Sequence, residues 1–296
     1  MAVGNAPAAE QSDNAADLAA CNALISDPGL GGLDGGRTSS VARGGVVREP
    51  ANSADTEIPA GSVPKVSKGF SVTVPVYFHV ITQGNSEADG NVSQQMVRNQ
   101  VDVLNRTYNA YYGGSDTAFN FKLIDTDRTR NADWFNMGYG SRAERAAKAA
   151  LHRGGVNALN IYPVEGAGFL GWATFPKDAH SQVWMDGVVV ASGSLPGGLI
   201  DRFNLGFTAT HDAGHWLGLY HTFQNGCSTE GDGVDDTPAQ RFPTSGCPEG
   251  QDSCPTDPGL DPIHNYMDYS DDPCYTEFTR DQSTRMSQQW LFYRAQ

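Results

Sequence analysis

His211-Asp212-Ala213-Gly214-His215-Trp216-Leu217-Gly218-Leu219-Tyr220-His221 sets three imidazoles and a glycine at the spacing His-x3-His-x2-Gly-x2-His. This spacing predicts three metal ligands gathered at the end of a helix. Residues four apart on an α-helix lie about 40° apart around its axis, so His211 and His215 can aim their ring nitrogens at one ion. His221 can join them only if the helix stops, because six more helical residues would carry it roughly 9 Å further along the axis. Gly218 is the residue that accepts the left-handed conformation such a reversal needs. Three imidazoles suit zinc, with room for water as a further ligand. In a chain with seven His and 34 Gly, chance yields this pattern on the order of a few times in ten thousand, which favours a metal site over three packed histidines. The helix is expected from about Asn204 to Leu217, with Ala209, Ala213, Trp216 and Leu217 opposite His211, one face packing and the other binding metal. His79, His152, His180 and His264 have no matching spacing and are expected to be structural or surface residues.

Upstream, Val72, Val74, Val76, Phe78 and Val80 alternate with Thr73, Pro75, Tyr77, His79 and Ile81, the period of a strand. Asn91 to Tyr112 reads as a helix, Phe119 to Thr126 as a strand, Ser141 to His152 as a short helix, and Val156 to Val164 as a buried strand. Gly168 to Thr174 and Asp186 to Ser192 add two more strands, and a last helix is expected over Thr279 to Arg294. That order predicts a twisted mixed sheet backed by helices. Residues 1 to 69, Gly-rich at Gly29 to Gly36 and Ala/Ser-rich at Ser39 to Ala60, hold too few large apolar side chains for a core and read as a prosegment or linker. The folded part is then 70 to 296, dividing at His221 into 70–221 and 222–296.

Composition narrows the class. With 296 residues and 39% hydrophobic content the chain can bury a sizeable core. A formal net charge of −14 excludes the clustered cations that nucleic acid or an anionic membrane requires, and no run of 18 apolar residues predicts a membrane span. Met1 to Ala20 is interrupted by Asn5, Glu10, Asp13, Asn14 and Asp17, so no signal peptide is read there. Of five cysteines, Cys227, Cys247, Cys254 and Cys274 crowd behind the metal motif. They read as two disulfides, with three connectivities open, rather than a second zinc site, since none stands in a Cys-x2-Cys pair. Disulfides imply an oxidising compartment. Two sequons, Asn91-Val92-Ser93 and Asn105-Arg106-Thr107, are compatible with secretion.

The motif resembles the signature of the metzincin metalloproteases, H-E-x-x-H-x-x-G-x-x-H with a later Met-turn. Within them the chain is most similar to the pappalysin family, through His215-Trp216-Leu217-Gly218-Leu219-Tyr220-His221-Thr222-Phe223, Gly231-Asp232-Gly233-Val234-Asp235-Asp236-Thr237-Pro238 and His264-Asn265-Tyr266-Met267-Asp268-Tyr269. The resemblance spans roughly residues 70 to 296. It implies an α+β zinc protease: a twisted mixed five-stranded sheet with a backing helix and an active-site helix, then an irregular, disulfide-stapled C-terminal subdomain with a Met-turn and a terminal helix. It further implies pairing of Cys227 with Cys254 and of Cys247 with Cys274, Met267 lying beneath the zinc ligands, and Tyr269 hydrogen-bonding the tetrahedral intermediate. Asp232, Asp235, Asp236 and Thr237 would offer hard oxygen ligands to calcium. Gly168, Phe169, Leu170, Gly171 and Trp172 would form the edge strand along which an extended substrate binds. Asp271 and Asp272 would lie near the pocket for the residue after the scissile bond, where acids favour basic side chains, with Pro273 at the spot next to Cys274. Cys21 would be a latency ligand that displaces the catalytic water, although Asn22 stands where such motifs place glycine.

One position departs from the family. Asp212 replaces the glutamate that acts as general base. Position 212 lies about 80° around the helix from the metal-facing direction, and aspartate is one methylene shorter. A misplacement of about 1 Å can cost on the order of 10²-fold. The expectation is a secreted, monomeric zinc endopeptidase acting on proteins or peptides, attenuated at its base. The competing expectation is an inactive zinc-binding pseudoprotease that captures peptides, and a third is a disulfide-stapled carbohydrate- or surface-binding module.

Overall fold

A computed structural model describes residues 57–295. The chain begins its regular structure with β1 (Val72–Thr82), followed by α1 (Gln94–Tyr108), β2 (Phe119–Arg130), α2 (Ala132–Phe135), α3 (Arg142–Leu151) and β3 (Leu159–Val164). Then come β4 (Gly171–Ala173), α4 (Pro176–Ser181), β5 (Val188–Ala191), α5 (Phe207–Trp216) and α6 (Arg280–Gln289). The strands form the expected five-stranded mixed sheet, in the order β2-β1-β3-β5-β4. β4, at one edge, runs antiparallel to β5, and the remaining pairs are parallel.

β1 sits between β2 and β3, which explains its nearly continuous apolar run. Val74, Val76, Phe78, Val80 and Ile81 are fully buried, as both faces of an inner parallel strand must be. β2 continues past the expected Thr126 to Arg130 because it pairs with β1 up to Thr82, after a register shift between Val76 and Tyr77. α1 starts at Gln94 rather than Asn91, where the Ser93 side chain accepts the Met96 N–H. It packs Val97, Val101, Leu104 and Tyr108 into the main core together with Trp216 and Met267.

α1 also holds α5 directly. The Thr107 and Thr210 hydroxyls are 3.0 Å apart, Tyr108 Oη donates to Thr210 O at 3.1 Å, and Gln100 Nε2 donates to Gly206 O at 2.9 Å. Of the two sequons, Asn91 is exposed, whereas Asn105 spends its amide on Val101 O, Phe121 O and Phe121 N–H. The second sequon therefore serves the fold.

Several boundaries differ from expectation for backbone reasons. β4 is confined to Gly171–Ala173 because Gly166, Ala167 and Gly168 have φ of 95°, 49° and 91°, a left-handed run that cannot continue a strand. Gly168, Phe169 and Leu170 thus form the turn entering the edge strand, although Leu170 O still accepts the Ala191 N–H at 2.6 Å. α5 begins at Phe207, not Asn204, because Gly206 has φ 89°. α6 ends at Gln289 and passes into a wider π-turn over Trp290–Arg294. The short helices α2 and α4 were not anticipated.

Candidate functional site

α5 ends as the motif requires. Gly218 adopts φ +95°, its N–H donates to His215 O at 2.9 Å, and the Leu219 N–H donates to Gly214 O at 2.9 Å. This paired arrangement is a Schellman closure with glycine in the left-handed position. It turns the chain so that His221 returns to the two helical histidines. A side chain at Gly218 would also strike Gln289, whose Cγ lies 2.5 Å from the added Cβ.

The three Nε2 atoms converge, with separations of 3.0 Å (His211 and His215), 3.1 Å (His215 and His221) and 3.2 Å (His211 and His221). His211 Nδ1 donates to Tyr266 O at 2.7 Å and His215 Nδ1 donates to Leu219 O at 2.8 Å. A carbonyl accepts only from a protonated nitrogen, so both rings carry their proton on Nδ1 and turn an Nε2 lone pair inward. Lone pairs packed this closely repel unless a cation lies among them. A triangle of this size lets one ion sit about 2 Å from all three nitrogens, the length of a zinc–imidazole bond. His211, His215 and His221 could therefore hold a metal ion.

Burial reinforces the neutral form. Desolvation lowers the pKa of His211 to about 4, partly offset by the Tyr266 carbonyl. Burial and then the neighbouring imidazoles push His215 and His221 well below the ordinary range. The whole of α5 is buried, not only the face opposite His211, because the segment after His221 folds over the metal side. Met267 is fully buried, and a Cβ on Gly214 would meet its Sδ at 2.5 Å. Gly214 is thus the notch that admits Met267, a role the motif spacing did not reveal. The Tyr269 ring lies 4.8 Å from His221 and 5.5 Å from His211, and Phe223 stacks on His221 at 4.6 Å.

Asp212 sits apart from the imidazole triangle. Its carboxylate lies against the backbone of Gly171, where an added Cβ would stand 2.0 Å from Oδ2. Oδ1 is buried without a hydrogen-bond partner, and burial raises the pKa of the group well above its ordinary value. The edge strand and the base position therefore touch through a glycine.

Both ends of α5 are anchored by distant residues that left no local signal. At its start, where Gly206 offers no capping side chain, Asp272 Oδ2 accepts the Leu205 N–H at 2.8 Å and the carboxylate also bonds the Gly206 and Phe207 amides. At its end, Trp216 Nε1 donates to both oxygens of Asp186 at 3.0 Å. Arg294 donates to Asp186 at 2.7 Å and to Trp216 O at 2.9 Å, with its guanidinium 3.7 Å over the indole.

Residues 222–271 approach the site with one isolated bridge, at Asn265, and no helix or strand. Two interlocked disulfides, Cys227–Cys254 and Cys247–Cys274, hold this stretch. The loop expected to offer calcium ligands is arranged otherwise. Thr237 Oγ1 donates to both oxygens of Asp232 at 2.7 and 2.8 Å, Asp236 accepts the Asp281 N–H, and Asp235 is exposed. Among the described residues their side chains do not gather into one metal-binding group. Cys21 lies outside the described residues. His79 is buried between Asp127 and Asn160, while His152, His180 and His264 stand away from the three ligands.

Comparisons with known proteins agree with this geometry. A family model described as pregnancy-associated plasma protein-A matches residues 169–290. The chain is 48% identical over 228 residues to an extracellular metalloprotease of Pyricularia oryzae, covering 76% of this chain and 77% of the relative. It is equally 48% identical to extracellular metalloprotease 1 of Coccidioides posadasii, covering 76% and 79%. Among solved structures, mirolysin in complex with compound 9 superimposes with a TM-score of 0.66 at 26% identity, covering 74% of this chain and 91% of that one. Mature mirolysin of Tannerella forsythia in complex with a cleaved peptide gives 0.63 at 27% identity, with the same coverage of both chains. The histidine triangle, the sheet that carries it and these relatives together place the chain in the pappalysin family of metzincin metalloproteases.

Proposed function

We propose that this chain is a secreted zinc-dependent endopeptidase that hydrolyses peptide bonds in extended polypeptides and is slowed at its proton-transfer step by Asp212. The observation that carries the proposal is the triangle of buried Nε2 atoms, two of them with their tautomer fixed by a carbonyl. His211, His215 and His221 would hold zinc, which when bound supplies a Lewis acid and makes water a nucleophile near neutral pH. Asp212 would take the proton of the attacking water and pass it to the leaving amine. The Tyr269 hydroxyl would donate to the oxyanion that develops on the scissile carbonyl. β4, with one side paired to β5, would offer its other side to the substrate backbone as an added strand.

Secretion is supported by the two disulfides and by relatives named as extracellular. The catalytic domain would span 70–296, as 70–221 and 222–296, preceded by a prosegment over 1–69. A second reading, a zinc protein that captures peptides without cutting them, is favoured by one feature: the Asp212 carboxylate is only 1% exposed and is tucked against Gly171.

The test is digestion of a reduced, unfolded protein by the zinc-loaded chain with and without a chelator. Chelator-sensitive cleavage with one zinc per chain is the expected result. One zinc per chain with peptide retention and no cleavage would transfer the proposal to the second reading, and absence of zinc would overturn both.

A further inference from the structure

A pocket opens beside the metal centre, lined by His211, Asp212 and Tyr269 at its mouth and by Leu170, Phe203, Phe207, Thr208, Ser270, Asp272 and Tyr275 within. Its empty volume of about 460 Å³, open mouth included, holds one large side chain rather than a folded segment. Its position next to the reacting centre makes it the receptor for the substrate residue that follows the scissile bond. This inference rests on the peptidase reading above.

The acids here would suggest a basic side chain, but the geometry removes them from contact with substrate. Asp272 is 1% exposed and its carboxylate is engaged by the Leu205, Gly206 and Phe207 amides at the start of α5. Those backbone donors and the positive end of the helix satisfy its charge. Asp271 is held by a two-pronged pair with Arg202, at 2.7 Å from Nε and 2.8 Å from Nη2. No carboxylate is left to meet an incoming cation.

The other polar groups also turn away. Ser270 Oγ donates to Ile263 O at 2.7 Å, and Tyr275 Oη donates to Asp268 O at 2.5 Å. Tyr275 thereby presents its ring, beside the rings of Phe203 and Phe207. A lysine or arginine entering this space would shed its water and find no acceptor to replace it, whereas a leucine or phenylalanine would gain apolar burial.

We propose that the pocket selects an uncharged apolar side chain, such as leucine, phenylalanine or methionine, on the residue after the scissile bond. Asp272 sets this preference from behind the pocket by closing the start of α5 instead of facing substrate. The sequence expectation of a basic preference is thereby reversed.

The test compares two peptide hydroxamates that differ only in carrying leucine or arginine at that position, measured by calorimetry on the zinc-loaded chain. Binding reads the pocket without requiring turnover, so a chain that fails to cleave still reports its preference. The leucine ligand should bind at least about tenfold more tightly, the scale on which apolar pockets discriminate. Asp272→Asn, if it folds, should leave that ratio unchanged. Arginine binding as well as or better than leucine, or selective loss of the arginine ligand in Asp272→Asn, would overturn the proposal, as would equal or absent binding of both.

Discussion

Up to His221, the chain reaches the metal centre through a β-sheet ladder and a core shared by β1, α1 and α5; beyond it, residues 222–271 reach the same centre with one isolated bridge and two disulfides. In the first region many apolar contacts share each task, so Val74, Val76 and Phe78 support one another. In the second, single polar groups carry single tasks. Asp268, fully buried, accepts from Gln240 Nε2 and from the Thr244 N–H, both at 3.0 Å, while the Gln240 oxygen accepts from Thr222 at 2.6 Å. The lesson is that the ligand triangle depends on redundant packing from one side and on individual, unreplaceable contacts from the other.

The sharpest break is expected at Arg294, which lies far along the chain from α5 yet holds its end. Arg294→Ala would leave Asp186 buried with its charge uncompensated by any cation at that position, at a cost of about 3–5 kcal/mol. Denaturant unfolding measures this, and a loss below about 1 kcal/mol would show that the apolar core holds α5 without the ion pair. Replacing Cys227 and Cys254 by serine comes next. The bond joins residues 27 apart, and its removal should cost about 3–4 kcal/mol on the loop-entropy scale. Zinc should be lost at lower denaturant than far-UV helicity, because the sheet does not depend on that bond. Simultaneous loss of both signals would erase the distinction between the two regions.

Gly214→Ala sharpens the same comparison at the point where the regions meet. The added methyl would press on Met267 and should cost about 1–3 kcal/mol by overpacking. Met267→Ala in the same chain should recover part of that loss, a coupling visible in a double-mutant cycle. Additive losses would mean that Met267 does not press on α5.

The smallest effect expected is one of pH. An ordinary imidazole gains its proton as pH falls through 6.5, whereas burial lowers His211 to about 4. A depressed pKa keeps the lone pair available at lower pH, so zinc affinity should stay nearly flat from pH 7 to about 5 and fall only near pH 4. Competition with a chelating dye across this range measures it. A decline beginning near pH 6.5 would show that the imidazoles are solvated rather than enclosed.

Much of this was legible in the chain. The alternation of Val72 to Val80 marked β1, and the His-Gly spacing required the turn that Gly218 makes. The edge position of Gly171 to Ala173 was read through the family resemblance, but its shortness depends on three successive left-handed residues that propensity does not encode. β2 beyond Thr126 was missed because Asp127, Arg128, Thr129 and Arg130 show no apolar period and are held by pairing with β1. Asp272 and Arg294 gave no local sign of their work, since each acts on α5 across a long sequence separation. The four clustered cysteines announced two disulfides while leaving their connectivity open, because spacing alone does not rank three pairings.

The central claim is a complete metal centre served by a base that is too short, and the most direct measurement is the turnover of an unfolded protein by this chain and by Asp212→Glu at matched zinc content. The restored methylene should carry the carboxylate past Gly171 toward the reacting water and raise chelator-sensitive cleavage roughly 10²-fold. Equal rates in the two proteins, or a slower variant, would contradict the account and show that aspartate is the base this site was built around.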